Sequence, residues 1–496
     1  MTNLMDISVK RMKSICIYIT YLIGAFIIAI SFEYSIGPKM ELIGLLGWGL
    51  LSISLVTWKI ISGEIASAYI FFLGVLYLFF FGQSLLMPFD LITPSRNLLI
   101  RHRFVNGINL YNAQIYSILC LASFHLGALI FYKNAKILGK KGNKYLTGVV
   151  SDKPIVMVGI ILLLISIIPF LYEMVQSLII VKMYGYKGYA QMEAQTGISS
   201  LISKIALYFI PSLICLAIGV RKSTGLRKVV QILSCVVIAL ILYIGERNDA
   251  LVFILALILI QHYFVKEITI KTSYKYIVFG AILLILLSVI ADTRGLENRS
   301  LLDYFKYMLD NGFSISVLTE IFSELGSSMM PTIAIMEFVN SGEPLRYGKT
   351  YLFSVLSIIP NLGFWDLHPA AEVASLGQWL KLRLGLSYGP GFSLAAESYL
   401  NFAWWGWSVF IFLGGFIVRI LGMLNKTTAK YYPEIGCFVL VFFNSSLFYI
   451  RDTFIGNVRA IFYMGLPIYM LILFFNQRLR KQNNSIDEQQ IDEKFL

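Results

Sequence analysis

The sequence predicts an all-α membrane protein that crosses the lipid bilayer about twelve times. Three observations carry this reading. The 496 residues are 57% hydrophobic and only 14% charged, whereas soluble domains carry about 25% charged residues. The mean hydropathy is +0.74. The apolar residues come in continuous runs long enough to cover the hydrocarbon core as helices, as in Ile161-Leu162-Leu163-Leu164-Ile165 and Ile282-Leu283-Leu284-Ile285-Leu286-Leu287. Strands of a membrane β-barrel would instead alternate apolar and polar residues over short segments.

The expected spans are 14–34, 41–58, 65–87, 111–132, 155–180, 201–220, 229–245, 249–265, 275–291, 395–424, 433–450 and 457–475. With the N-terminus in the cytoplasm, 24 of the 41 Lys and Arg residues fall on the cytoplasmic side. Ten fall in short outer loops and seven in the segment 292–390. Positive residues favour the cytoplasmic side of short loops, which supports both termini inside. The net charge of +13 is therefore a topology signal rather than a nucleic-acid footprint. No cleavable signal peptide is expected, because no small-residue cleavage site follows the first apolar run. The five cysteines, Cys16, Cys120, Cys215, Cys235 and Cys437, all lie in apolar spans, and they read as small buried hydrophobes. No internal repeat is evident. The chain divides into spans one to nine (1–291), a semi-apolar segment (292–390), spans ten to twelve (391–475) and a polar cytoplasmic tail expected to be disordered (476–496).

The segment 292–390 is too long for a connector. Leu301, Phe305, Met308 and Leu309 recur at helical spacing, as do Leu318, Ile321, Phe322 and Leu325. Gly326 can stop one helix and Pro331 open the next. Tyr351 to Ile359 is a further apolar run, ended by Pro360. These pieces read as amphipathic or re-entrant helices, lying on the membrane or dipping into it and folded over the bundle. A long loop on a rigid scaffold can carry function; a packed cap without chemistry is the plainer alternative.

Charged residues at the outer side need a reason, because short outer loops disfavour them. Arg247 lies in the tight turn Gly245-Glu246-Arg247-Asn248-Asp249. Arg294 and Arg299 follow span nine, Arg451 and Arg459 flank the last outer turn, and Arg96, Arg101 and Arg103 lie in the loop 88–110. Converging guanidinium groups suit a phosphate-bearing ligand; singly, each could equally snorkel or pair with a nearby carboxylate. Glu397 sits inside an apolar run at the start of span ten, where a carboxylate must be partnered or functional. Asp249, Asp292 and Glu324 are further acidic candidates. His368, the one histidine of the long segment, reads first as structural. The sequence holds no Asp-x-Asp, no phosphate-binding P-loop and no histidine-rich cluster. It gives no support to a metal-dependent nucleotide-sugar enzyme or an ATP-driven pump.

Six stretches form an ordered set: Gly245-Glu246-Arg247; Asp292-Thr293-Arg294-Gly295; Glu324 to Thr332; Tyr347-Gly348-Lys349-Thr350-Tyr351; Ile359-Pro360-Asn361; and Gly389 to Phe402, which includes Glu397, Tyr399 and Asn401. In span number, loop placement and motif order the chain resembles the Wzy-type polymerases of oligosaccharide repeat units, the O-antigen and capsule polymerases of bacteria. One departure is Ala403, where the pattern has glycine; this bears on helix packing more than on chemistry. The resemblance implies transfer of a growing glycan from undecaprenyl diphosphate onto the sugar of a fresh lipid-linked repeat unit, at the outer face of the inner membrane. It implies no cofactor, nucleotide or metal. Its partners would be the lipid-linked oligosaccharide and membrane lipid, with a chain-length regulator and a flippase as candidate protein partners. On this reading Arg247, Arg294 and Arg451 clamp the diphosphate, and Glu397 is a base or positions the acceptor. Arg299, Arg459, Asp249, Glu324, Tyr399, Asn401 and His368 line the substrate. Two alternatives stay open: an O-antigen ligase using the same donor, and a flippase for lipid-linked sugars.

Overall fold

Backbone N–H and C=O groups in hydrocarbon have no water to bond, so each apolar run must satisfy them internally as a helix. The computed structural model describes residues 2–64, 66–92, 105, 107–132, 152–190, 197–269, 315–359, 361, 365–386 and 389–479, with scattered positions elsewhere. Among the described residues every regular element is helical and none is a strand. The first nine helices are α1 (Thr2–Ser31), α2 (Ile36–Ser62), α3 (Ala68–Leu86), α4 (Gly107–Phe131), α5 (Asp152–Ala190), α6 (Gly197–Ala206), α7 (Phe209–Gly219), α8 (Thr224–Ile244) and α9 (Arg247–Ile260). Five shorter ones follow: α10 (Ile315–Gly326), α11 (Met330–Asn340), α12 (Lys349–Leu356), α13 (Pro369–Ala374) and α14 (Leu376–Leu384). The last are α15 (Leu394–Phe402), α16 (Val409–Leu421), α17 (Lys426–Tyr431), α18 (Pro433–Phe448) and α19 (Phe454–Arg459).

Eleven stretches of described helix are long and apolar enough to cross a membrane. They coincide with eleven of the expected spans, running from Ser8–Ser31 to Phe454–Leu479. Most of span nine, residues 480–496 of the tail and the 301–309 periodicity lie outside the described residues, while 476–479, expected in the disordered tail, continue the last helix. Large apolar side chains such as Phe26, Leu164, Ile168 and Ile232 are exposed on the outside of the bundle, as a lipid-facing surface requires. Cys16 and Cys235 are exposed too, so only Cys120, Cys215 and Cys437 are the buried hydrophobes expected of all five.

Close packing rests on small residues, because lipid offers no hydrophobic drive between helices. A Cβ at Gly127 would overlap the Ile411 carbonyl, and one at Gly414 the Phe124 carbonyl. Gly406 lies against the Tyr116 hydroxyl and Gly422 against the Tyr132 ring. The outer pairs, 116 with 406 and 132 with 422, advance together along both chains, with the Gly127 and Gly414 contacts at the crossing between them, so α4 and α16 run parallel. In contrast, Phe264 meets Gly436 at one end of the α9–α18 pair, while Asp249 and Tyr449 interact at the other. That pair is antiparallel.

The long segment enters the bundle more deeply than a surface cap would. Gly82 of α3 abuts the Phe322 carbonyl and Gly326 of α10 abuts the Gln83 backbone. Gln83 Nε2 donates to the Ser323 carbonyl at 2.8 Å. Residues Met330 to Met336 of α11 are all buried, so this helix packs inside rather than lying on a lipid surface. Gly326 does close one helix, and Pro331 sits in the first turn of the next.

Span ten is broken. Helix α15 ends where Ala403 takes φ 49° and ψ −134°, and a 3-10 turn, Ala403–Ser408, leads into α16. A positive φ is strained for an alanine and free for a glycine. The glycine expected at this position thus serves the backbone bend, not helix packing. Such a break is tolerated at membrane depth where protein surrounds it, and residues 394–401 are all buried. Ala403→Gly should therefore stabilise the protein by about 1 kcal/mol, the strain relieved less the extra unfolded-state entropy of glycine. A thermal melt of the purified protein in detergent should show a higher midpoint.

Candidate functional site

The polar residues of α15 are held by hydrogen bonds from three directions. Ser393 caps the helix, accepting from the Ala396 N–H at 3.0 Å. Glu397 is fully buried. Its Oε1 accepts from the Thr350 hydroxyl at 2.7 Å and its Oε2 from the Phe454 N–H at 2.6 Å. Asn401 donates from Nδ2 to Thr350 Oγ1 and to the Glu397 carbonyl, both at 2.8 Å. Its Oδ1 accepts from the Gly348 N–H at 2.8 Å. The Arg346 and Tyr347 N–H groups donate to the carbonyls of Leu400 and Asn401. Gly348, at φ 82°, lies against the Phe402 ring, and Tyr351 stacks on the same ring. Two of the sequence motifs, 347–351 and 389–402, therefore form one hydrogen-bonded unit. Neither Glu397 nor Asn401 has a polar group left facing outward. Tyr399 is buried as well, its ring edge-on to Tyr116 and Trp404.

Beside this unit lies the turn between α18 and α19. The Arg451 carbonyl accepts from the Phe392 N–H at 3.2 Å, and its guanidinium lies 5.4 Å from the centre of the Phe79 ring, a cation–π distance. Asp452 Oδ1 accepts from the Thr453 N–H at 2.8 Å. Burial raises the Asp452 pKa above the usual carboxylate range, partly opposed by the Thr453 N–H and by Arg459. Arg459 itself is exposed.

The turn 245–249 opens onto two cavities. Gly245 closes α8 with φ 107°, and α9 begins at once. One face of α9, with Arg247, Asn248, Leu251 and Leu255, lines a cavity of about 400 Å³. Its walls are otherwise apolar residues of α2, α3 and α10, except for Glu324. Arg247 and Glu324 form an ion pair there. The other face, with Glu246, Asp249 and Val252, lines a second cavity of about 280 Å³ among α5, α7, α8 and α18. Arg247 and Asp249, two residues apart, thus serve different cavities.

The remaining candidates are placed otherwise. His368 caps α13: its Nδ1 accepts from the Ala370 N–H at 3.0 Å, and its Nε2 lies 2.9 Å from the Ile359 carbonyl. Both ring nitrogens are engaged by backbone, which fits the structural reading. Arg294 and Arg299, with Arg96, Arg101, Arg103 and Asp292, lie outside the described residues. Among the described residues no group of three or more His, Cys, Asp and Glu side chains is placed to hold a metal ion. Four polar residues of this region were not singled out from the sequence: Glu173, Glu246, Asn444 and Asp452. Glu173 interrupts the apolar run 155–180, the same signal that marked Glu397.

Fold and site together define a polytopic helical membrane protein with a polar, arginine-bearing centre at one end of the bundle, beside an apolar cavity. The family model of the O-antigen polysaccharide polymerase Wzy matches residues 12–484, and the chain belongs to that family, whose members act on lipid-linked oligosaccharide repeat units in membranes. No curated protein and no solved structure matches the chain.

Two outcomes test the site's energetics. Glu397→Ala strands the buried Thr350 hydroxyl and Phe454 N–H, and should cost about 3 kcal/mol, read as a lower melting midpoint in detergent. Asp452→Asn keeps the bond from the Thr453 N–H and removes a charge that burial disfavours. A raised acid pKa means that Asp452 contributes least above its folded pKa. The variant should melt higher than the parent at neutral pH. That gap should close as pH falls toward the ordinary carboxylate range, about pH 4.

Proposed function

We propose that the chain polymerises an undecaprenyl-diphosphate-linked glycan at the outer face of the bacterial inner membrane. The observation that carries this reading is the apolar cavity ending on Arg247 and Glu324. An isoprenoid tail suits its walls, and a diphosphate suits its guanidinium, with Glu324 as the competing anion. In the reaction a hydroxyl oxygen of the acceptor sugar attacks the anomeric carbon of the donor glycan. The bond from that carbon to the diphosphate oxygen breaks, the lipid diphosphate departs with the electron pair, and the hydroxyl proton leaves to a carboxylate or water. Arginines stabilise the charge that grows on the departing oxygen. We assign this role to Arg247 and Arg294, with Arg299, Arg451 and Arg459 drawing the diphosphate in. No nucleotide or metal enters the step.

Glu397 is then a positioning group rather than the base. It fixes the 347–351 strap and the start of α19 around the turn that carries Arg451 and Asp452. Asn401 and Tyr399 belong to the same support, and His368 holds the segment above it.

The helix directions support twelve crossings with both termini inside. Helices α4 and α16 run parallel, and α9 and α18 antiparallel. Both require an odd number of crossings between 266 and 393, and the apolar run 275–291 supplies one. The 24 cytoplasmic Lys and Arg residues agree with that orientation.

A deletion strain should cap its acceptor lipid with a single repeat unit. Loss of a ligase would leave it uncapped, and loss of a flippase would keep repeat units from the outer face. In that strain Arg247→Ala should lower polymerisation about a hundredfold, and Arg247→Lys should restore only part, because it cannot form the paired hydrogen bonds. Glu324→Gln should retain polymer. Full-length polymer from Arg247→Ala, at parental expression, would remove Arg247 from the reaction.

A further inference from the structure

Helix α12, with the turn that extends it to Ile359, is built inside out. Thr350, Ser354 and Ser357 are buried, aligned on one face by the helical period. Thr350 bonds Glu397 and Asn401. The Ser354 and Ser357 hydroxyls donate to carbonyls of their own helix, those of Thr350 at 2.7 Å and Ser354 at 2.6 Å. The opposite face carries Leu352, Val355, Leu356 and Ile359, spaced as one stripe. All four are exposed, Leu352 by 63%. From 350 to 359 the sequence holds no charged residue. A helix covered by water turns its polar residues outward and its apolar residues inward. Here both are reversed.

The placement of α12 names what covers this stripe. The Tyr351 ring meets the Phe454 ring, with centroids 5.6 Å apart, at the start of the apolar helical stretch Phe454–Leu479. Further along both chains, the Tyr463 hydroxyl donates to the carbonyls of Ser357 at 2.8 Å and Ile358 at 3.0 Å. The contacts advance in one direction, so α12 descends beside the last span from its Phe454 end. From 454 to 463 a helix rises about 13 Å, more than a tyrosine side chain can reach across. Phe462 is exposed on the same stretch of the span, so the apolar outer surface of the span continues onto α12. The backbone at the deep end is satisfied, as hydrocarbon requires. His368 Nδ1 accepts from the Ala370 N–H, so its Nε2 carries the hydrogen and donates to the Ile359 carbonyl. The chain is back at the Phe454 level in α13, where Ala370 and Ala374 pack with Ile455 and Phe353. At the other end of α12, Tyr347 and Lys349 are exposed, residue types that anchor a segment at the membrane–water interface.

We propose that the outward stripe of α12 is a lipid-docking surface, on which Leu352, Val355, Leu356 and Ile359 contact the acyl chains of the bilayer leaflet at the Phe454 end. Helix α12 is then held from two sides, by hydrocarbon on one face and by Glu397 and Asn401 on the other. Bilayer lipid thus completes the support of the α15 network. This assignment stands on the contacts of α12 and does not rest on the polymerase reading.

Nitroxide labels on the full chain, in nanodiscs of phosphatidylethanolamine and phosphatidylglycerol, test the surface. Cys16 and Cys235, the exposed cysteines, are first replaced by alanine. Single labels then enter at Leu352→Cys and Leu356→Cys. Ile168→Cys on α5 gives the lipid reference and Glu372→Cys on α13 the aqueous one, both positions being exposed. Collisions with oxygen report hydrocarbon, and those with a nickel chelate report water. The oxygen-to-nickel ratio at 352 and 356 should lie several-fold above that at 372, and it should be higher at 356 than at 352, because α12 descends. A ratio at 352 and 356 equal to that at 372 would place the stripe in water and overturn the assignment. Few collisions with either reagent would mean that a second copy or another protein covers the stripe, which overturns lipid as its occupant. A second variant needs no label. Leu356→Asp should lower the melting midpoint in the same nanodiscs by several degrees, since a carboxylate is costly in hydrocarbon, while Leu356→Phe should leave it near the parental value. A water-facing position would tolerate both, so an unchanged midpoint for Leu356→Asp also overturns the proposal.

Discussion

The Glu397 carboxylate accepts hydrogen bonds from residues 47 and 57 positions away, and the bonded end of the bundle is assembled around it. An ionisable group at membrane depth is tolerated only when its partners are in place. Here those partners are a threonine in α12 and the first N–H of α19, where the helix dipole also favours negative charge. Satisfying Glu397 therefore requires three separate chain segments to meet. The Ala403 bend is part of the same requirement, because it ends α15 after nine residues and lets α16 pack parallel to α4. Asn401 extends the arrangement by one turn and anchors the Gly348 backbone.

This constraint separates support from chemistry. The α15 network is saturated, with Glu397 and Asn401 both facing inward. The charged groups lie beside it, on the 245–249 turn and on the α18–α19 connection. A buried hydrogen-bonded network beside charged groups holds those groups in register, since positions fixed by packing tolerate little displacement.

Much of the fold was legible because the bilayer imposes a length on every apolar run, and eleven expected spans coincide with described helices. The carboxylate within span ten was legible too, because an uncompensated charge there is costly. Its role was not. Sequence shows that Glu397 needs a partner, but whether the partner is a substrate or Thr350 depends on contacts 47 residues apart. His368 shows the same limit in reverse: the His-Pro step is visible in sequence, its capping bond is not. The expected glycine at position 403 was recognised as a departure, yet its meaning lay in a dihedral angle that sequence does not state. Arg247 and Asp249 stand two residues apart in one turn of the sequence. The helical period turns them to different faces, one beside hydrocarbon walls and the other among carboxylates.

That divergence bears on how a glycosyl transfer could be arranged in a membrane. The departing lipid diphosphate needs positive charge and an apolar channel for its tail. The attacking sugar needs acceptors for its hydroxyls and a polar wall. Held in one pocket, these demands would neutralise each other, as Arg247 and Glu324 do where they meet. The first turn of α9 directs Arg247 and Asp249 to different cavities. Its N-terminal end adds partial positive charge at that point, which favours both the Asp249 carboxylate in its first turn and an approaching phosphate. Glu246 and Asn248 complete the division, each on the side its neighbour commands. One short turn thus presents a cation to one cavity and a carboxylate to the other, because α9 begins two residues after Gly245.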